Sequence, residues 1–151
     1  MFGGYALDVM GDTWTWDGAK WTWHDTDGPP ARSGAAMATL DGTAVLFGGS
    51  DTNGNALGDT WTWDGLKWMS RSVAGPSARA GAAMTTVNGT VLLFGGADSA
   101  GNARSDTWTW DGGSWAEPVG ETSPLFASPR PRSRPRRVPF GAPQLRRRVP
   151  E

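Results

Sequence analysis

The sequence predicts an all-β protein of about two and a half four-stranded antiparallel sheets, and three observations predict it. One stretch recurs: residues 11–21 read GDTWTWDGAKW, 58–68 read GDTWTWDGLKW and 105–115 read SDTWTWDGGSW. Asp59 and Asp106 each stand 47 positions after the aspartate of the preceding copy, Asp12 and Asp59. A fixed period of that size is the mark of a repeat architecture. The dipeptides Asp41-Gly42 and Asn88-Gly89 each join two β-prone runs, which is the strongest short hairpin signal. Finally, 22 glycines and 11 prolines in 151 residues break the chain too often for helices, but suit short strands joined by turns.

Residues 1–30 begin part-way through a unit. Phe2-Gly3-Gly4 matches Phe47-Gly48-Gly49 and Phe94-Gly95-Gly96, but the loop that follows is two residues shorter than in the other copies. Residues 31–77 form a complete unit. ARSGAAMATL at 31–40 is a small-residue strand, Asp41-Gly42 turns the chain, and TAVLFGG at 43–49 returns it. Both turn residues tolerate positive φ, and the double glycine allows a sharp exit without a Cβ clash. After a polar loop, DTWTW alternates with period two, so Trp61 and Trp63 face one way and Thr60 and Thr62 the other. Asp64-Gly65 then leads to a fourth strand opening at Trp68. Residues 78–118 repeat the pattern: 31–68 and 78–115 align without gaps and agree at 25 of 38 positions. A single sheet with apolar residues on both faces is unstable, and stacking successive sheets buries both.

After Trp115 the pattern stops. Residues 119–151 are rich in Pro and Arg, lack tryptophan and are expected to be disordered, because proline removes ladder donors and like charges repel. The formal net charge of −1 hides this contrast. Six basic residues oppose thirteen acidic ones up to Val119, whereas eight arginines oppose two glutamates after it. A fourth copy is due near residue 122, and a frameshift in a GC-rich gene is the expected source of the change. Cysteine is absent, which excludes disulfides, thiolate metal sites and a cysteine nucleophile. No signal-like leader and no long apolar run is visible, so no membrane span is expected.

These residues resemble the kelch repeat family, including bacterial galactose-oxidase-like propellers. The resemblance covers residues 1 to 118. It rests on the Phe-Gly-Gly that ends strand two, on the strand-three aromatics Trp16, Trp63 and Trp110, and on Trp21, Trp68 and Trp115 opening strand four. The Pro-x-Ala-Arg-x-Gly run at 76–81, one spacer shorter at 30–34, also fits. WD repeats share the Trp-Asp dipeptides at 16–17, 63–64 and 110–111, but want a Gly-His in each blade that this chain lacks. The resemblance implies a partial kelch-type β-propeller, a fragment of a longer one, which binds protein partners through its loops. It also implies that further blades or self-association are needed to close a ring, and a secreted or cell-surface location if the parent is a bacterial kelch protein.

Nine of the ten tryptophans recur at equivalent positions, as packing between blades requires. Trp23 is the exception, because its counterparts are Ser70 and Glu117. It is therefore a candidate surface contact, together with Tyr5 in the shortened first loop. Arg32 and Arg79 could hold an anionic ligand at a propeller mouth, although hydrogen bonds to carbonyls of a neighbouring blade are the plainer expectation. Asp51-Thr-Asn53-Gly-Asn55 places oxygens at alternating positions, as a calcium loop does, but no bidentate glutamate follows. Asx turns explain it better, and turn hydrogen bonding is likewise expected of Asp12, Asp59 and Asp106.

No catalytic, cofactor or metal residue is assigned. Copper chemistry of the galactose oxidase kind needs tyrosines, histidines and a Tyr–Cys crosslink, against one Tyr, one His and no Cys here. No phosphate loop or Ser/His/Asp arrangement is present. The tail's arginines, without aromatic interleaving, do not make a nucleic-acid module. The expectation is a non-enzymatic protein-interaction scaffold, with a carbohydrate-binding or carbohydrate-active propeller as the alternative.

Overall fold

A computed structural model describes residues 1–118, so the tail expected to be disordered lies outside the described residues. Those residues form eleven strands and no helix. Strands β1 (Phe2–Tyr5), β2 (Val9–Trp16) and β3 (Trp21–His24) make a first antiparallel sheet. The second contains β4 (Ala36–Leu40), β5 (Thr43–Phe47), β6 (Thr60–Trp63) and β7 (Trp68–Arg71) in that spatial order. The third repeats it with β8 (Ala83–Val87), β9 (Thr90–Phe94), β10 (Thr107–Trp110) and β11 (Trp115–Ala116). The result is a partial, propeller-like row of three blades, all β as expected.

The hairpins form for the predicted reason. Asp41 and Gly42 have φ of 48° and 78°, and Asn88 and Gly89 have 49° and 72°, the positive pair that a two-residue turn needs to match strand twist. The middle blade buries both faces against its neighbours. Ala36, Leu40, Val45 and Phe47 on one face of blade 2 pack against Val91, Leu93, Trp110 and Trp115 of blade 3. On its other face, Leu46, Trp63 and Trp68 pack with Phe2 of blade 1. Alternation along β5 and β6 divides the residues between these two clusters.

Two elements differ from the sequence expectation. Only Ala36–Leu40 of the run 31–40 enters the sheet. The backbone of Arg32 before it bonds to blade 1 instead: Gly4 N donates to the Arg32 carbonyl at 3.0 Å, and Arg32 N donates to the Met10 carbonyl at 2.9 Å. The same crossing joins blades 3 and 2, with Gly49 N to Arg79 O and Arg79 N to Leu57 O, both at 2.9 Å. Strand β2 is also longer than β6 or β10. The shortened first loop leaves no room for a folded excursion, so β1 and β2 continue as a hairpin with Tyr5 opposite Val9.

Candidate functional site

Arg32 and Arg79 are 1% exposed, so neither offers its guanidinium to an external anion in this structure. Each guanidinium is held inside its own blade. Arg32 Nη1 and Nη2 donate to the two carboxylate oxygens of Asp59 at 2.6 and 2.8 Å, with further bonds to the carbonyls of Pro30 and Gly48. Arg79 does the same with Asp106, Ser77 and Gly95. The neighbour-blade contact expected of these side chains is made by their backbones. Since a buried charge is tolerated only when paired and fully hydrogen-bonded, this geometry reads as a structural clasp.

Asp59 and Asp106 are therefore ion-pair partners, with a second bond from the indoles of Trp61 and Trp108, rather than turn formers. Burial pushes the Asp59 carboxyl up, but hydrogen bonds from Arg32 and Trp61 outweigh it and hold the group below the usual range. Arg79 is the main cause that brings Asp106 down to about 2. Asp12 has the Trp14 indole bond alone among the described residues. The clue in the sequence was the co-repetition of Arg and Asp at a spacing of 27, Arg32 to Asp59 and Arg79 to Asp106.

The loop at Asp51 forms the expected Asx turn: its carboxylate accepts from Asn53 N and Asn55 N, and from the Asn55 amide. Asp98 repeats this with Ala100 and Asn102. Those bonds lower both carboxyls, and each oxygen is committed to its own loop.

Trp23 lies on the surface, but it is not alone. Strands β2 and β3 pair Trp14 with Trp23 and Trp16 with Trp21. Directly opposed residues share a face, so four indoles lie on one side of blade 1. The counterparts in blade 2, Trp63 and Trp68, are 6% and 7% exposed, whereas Trp16, Trp21 and Trp23 are 51%, 52% and 54% exposed. The difference is position in the row: the face of blade 1 that corresponds to the buried seam is uncovered. Its Trp16 and Trp21 rings still stand 5.4 Å apart, as do Trp63 and Trp68. The sequence reading, which took repetition as a sign of burial, missed this patch. Tyr5 is 74% exposed at the first hairpin turn, next to a fully exposed Leu7.

Position 24 also breaks the repeat. His24 Nε2 is hydrogen-bonded to Thr15 Oγ1 at 2.7 Å, and Arg71 in the next blade bonds Thr62 through Nε at 2.9 Å. Arg71, Asp41, Thr43 and Trp110 line a cleft of about 210 Å³ between blades 2 and 3. That is below the roughly 300 Å³ at which small-molecule pockets begin. Among the described residues no three His, Asp or Glu side chains converge on a metal position, and no helix is long and apolar enough to cross a membrane. The chain matches no family model and no curated protein.

Proposed function

We propose that the chain is a non-catalytic protein-interaction scaffold of kelch-type blades, a partial propeller whose ring is completed by further blades or by self-association. The observation that carries this reading is the uncovered indole face of β2 and β3. Exposed apolar patches on a soluble fold mark places where another molecule binds, and tryptophan is enriched at the centre of protein interfaces. Trp16, Trp21 and Trp23 are carried on paired strands and so are held rigid, which lowers the entropic cost of binding. Panning a library of folded and linear polypeptides against the full chain tests it. Binders should be recovered whose affinity falls at least about tenfold on Trp23→Ala, the loss of one interface anchor. Binders indifferent to Trp16, Trp21 and Trp23 would remove this face from consideration.

A carbohydrate-binding propeller is the second reading, favoured by one feature: Trp23 interrupts the repeat and presents an indole able to stack on a sugar ring. Glycan-array binding that disappears in Trp23→Ala, with no polypeptide binder found, would replace the first reading with this one.

A further inference from the structure

Both internal blade junctions are built from the same parts. Trp68 Nε1 donates to Thr13 Oγ1 at 2.9 Å, and Trp115 Nε1 donates to Thr60 Oγ1 at 2.9 Å. The same indoles meet a phenylalanine edge-on, Phe2 to Trp68 at 5.2 Å and Phe47 to Trp115 at 5.5 Å. Each junction therefore consists of a Thr–Phe seat on one blade and a strand-four Trp on the next.

A third junction is present in halves at the two ends of the row. Blade 3 carries the seat: Thr107 and Phe94 occupy the positions of Thr60 and Phe47. Around it lie Ala83, Val87 and Leu92, the counterparts of Ala36, Leu40 and Val45. Ala36, Leu40, Val45 and Phe47 are all buried, whereas Val87 is 47% exposed and Ala83 is exposed. Blade 1 carries the Trp: Trp21 corresponds to Trp68 and Trp115, and among the described residues its indole N–H has no partner. Trp68 and Trp115 spend theirs on threonines, while Trp14, Trp61 and Trp108 donate to aspartates.

We propose that the open face of blade 3 docks the indole face of blade 1 of a second copy, head to tail, with Trp21 of one copy seated on Phe94 and Thr107 of the other. This rests on the reading of the blade 1 face as an interaction surface and names its partner. The two ends of the row carry the two halves of the repeated junction, so a second copy of this chain offers the indole donor that the seat on blade 3 lacks. Among the described residues blade 1 has no counterpart of β4 or β8, so the contact they make lacks the inner-strand packing of the internal junctions. The association is accordingly weak, in the range of small interfaces that assemble at micromolar concentrations or above. Because the two surfaces differ, assembly is heterologous and continues into a ring or an open row.

Sedimentation velocity on the full chain tests this. Wild type should shift to larger species as concentration rises towards about 1 mM. Thr107→Val, which keeps shape but removes the hydrogen-bond acceptor, should weaken association by roughly fivefold to tenfold. Trp21→Phe, which removes the indole N–H together with part of the ring, should weaken it at least as much. Trp21→Glu and Phe94→Glu should each be monomeric alone, and a 1:1 mixture should form a dimer that grows no further, since one intact seat meets one intact indole. Near-ultraviolet circular dichroism checks that each variant is folded. A wild-type chain that stays monomeric throughout overturns the inference, as does association untouched by Thr107→Val and Trp21→Phe. Capping of the seat by another part of the same chain would give that monomeric outcome. Polypeptide or glycan binding by such a monomer, if lost on Trp23→Ala, would leave the broader reading of the indole face standing.

Discussion

Arg32 and Asp59 meet through two parallel bonds, Nη1 to Oδ1 at 2.6 Å and Nη2 to Oδ2 at 2.8 Å, with the guanidinium side chain fully buried and the carboxylate side chain 37% exposed. The Arg32 backbone bonds simultaneously to Gly4 and Met10 of the preceding blade. One residue thus joins two blades, its side chain fixed to one and its peptide group to the other. Arg79 and Asp106 repeat the device at the next junction.

Replacing Arg79 by Ala should lower unfolding free energy by about 3 kcal/mol, the cost of breaking a buried pair. Arg79→Lys should recover little of it, because an ammonium cannot bond both Asp106 oxygens and the Gly95 carbonyl in a planar fork. Urea denaturation measures both. A loss below about 0.5 kcal/mol for the alanine variant, the size of an ordinary surface change, would show that the clasp does not hold the blades.

Acid should loosen the same junctions. The folded-state pKa of Asp106, about 2, lies below its ordinary 3.8, so in this window the unfolded chain binds more protons than the folded one. The stabilisation is fully present above about pH 4 and is lost as pH falls through about 2. Asp59, shifted in the same direction, adds to it. The melting temperature should therefore fall across this window in wild type and fall less steeply in Asp106→Asn. Parallel slopes for the two proteins would contradict the assignment.

Glycines at a blade junction and in an open loop should differ in cost. Gly48 has φ of 65°, and a Cβ there would collide with the Arg79 carbonyl oxygen. Gly54 has φ of 80° with open space around it. Alanine at Gly54 should cost only the left-handed backbone, about 1–2 kcal/mol. Alanine at Gly48 should cost more, because the clasp must also move apart. Equal destabilisation in chemical denaturation would mean that the blades are not in the close contact described.

Tryptophans should separate by blade rather than by motif position. Trp110 is 1% exposed, so Trp110→Ala should cost about 3–5 kcal/mol. Its repeat counterpart Trp16, and Trp23, are half exposed, so Trp23→Ala should change stability by no more than about 0.5 kcal/mol. Acrylamide quenching read on single Trp→Phe variants gives the complementary view: removal of Trp16, Trp21 or Trp23 should reduce the quenchable fraction, and removal of Trp110 should not.

Much of the fold was legible from local chemistry. Asp41-Gly42 and Asn88-Gly89 specify hairpins because their backbone geometry is intrinsic to two residues. The DTWTW alternation assigns sides of a strand because side-chain direction has period two. Arg32 and Arg79 were less legible. Their repetition was plain, but nothing within a few residues marks Asp59 or Asp106 as the partner, since the pairing closes across 27 residues of chain.

The sequence by itself determined that the chain is all β, built of four-stranded units on a 47-residue period, with the two hairpin turns, the strand faces and the Asx loops assigned correctly. These follow from local dihedral preference and side-chain alternation, which each copy carries within itself. Only the tertiary structure decided which copies of an identical motif are buried. Trp16, Trp63 and Trp110 occupy equivalent positions, yet the first is exposed and the others are not, because burial depends on whether a neighbouring blade lies against that face. Repetition sets what each blade offers; stacking sets which offers remain open, and those open ones, Trp21 and Trp23 at one end and Phe94 and Thr107 at the other, are where binding is proposed.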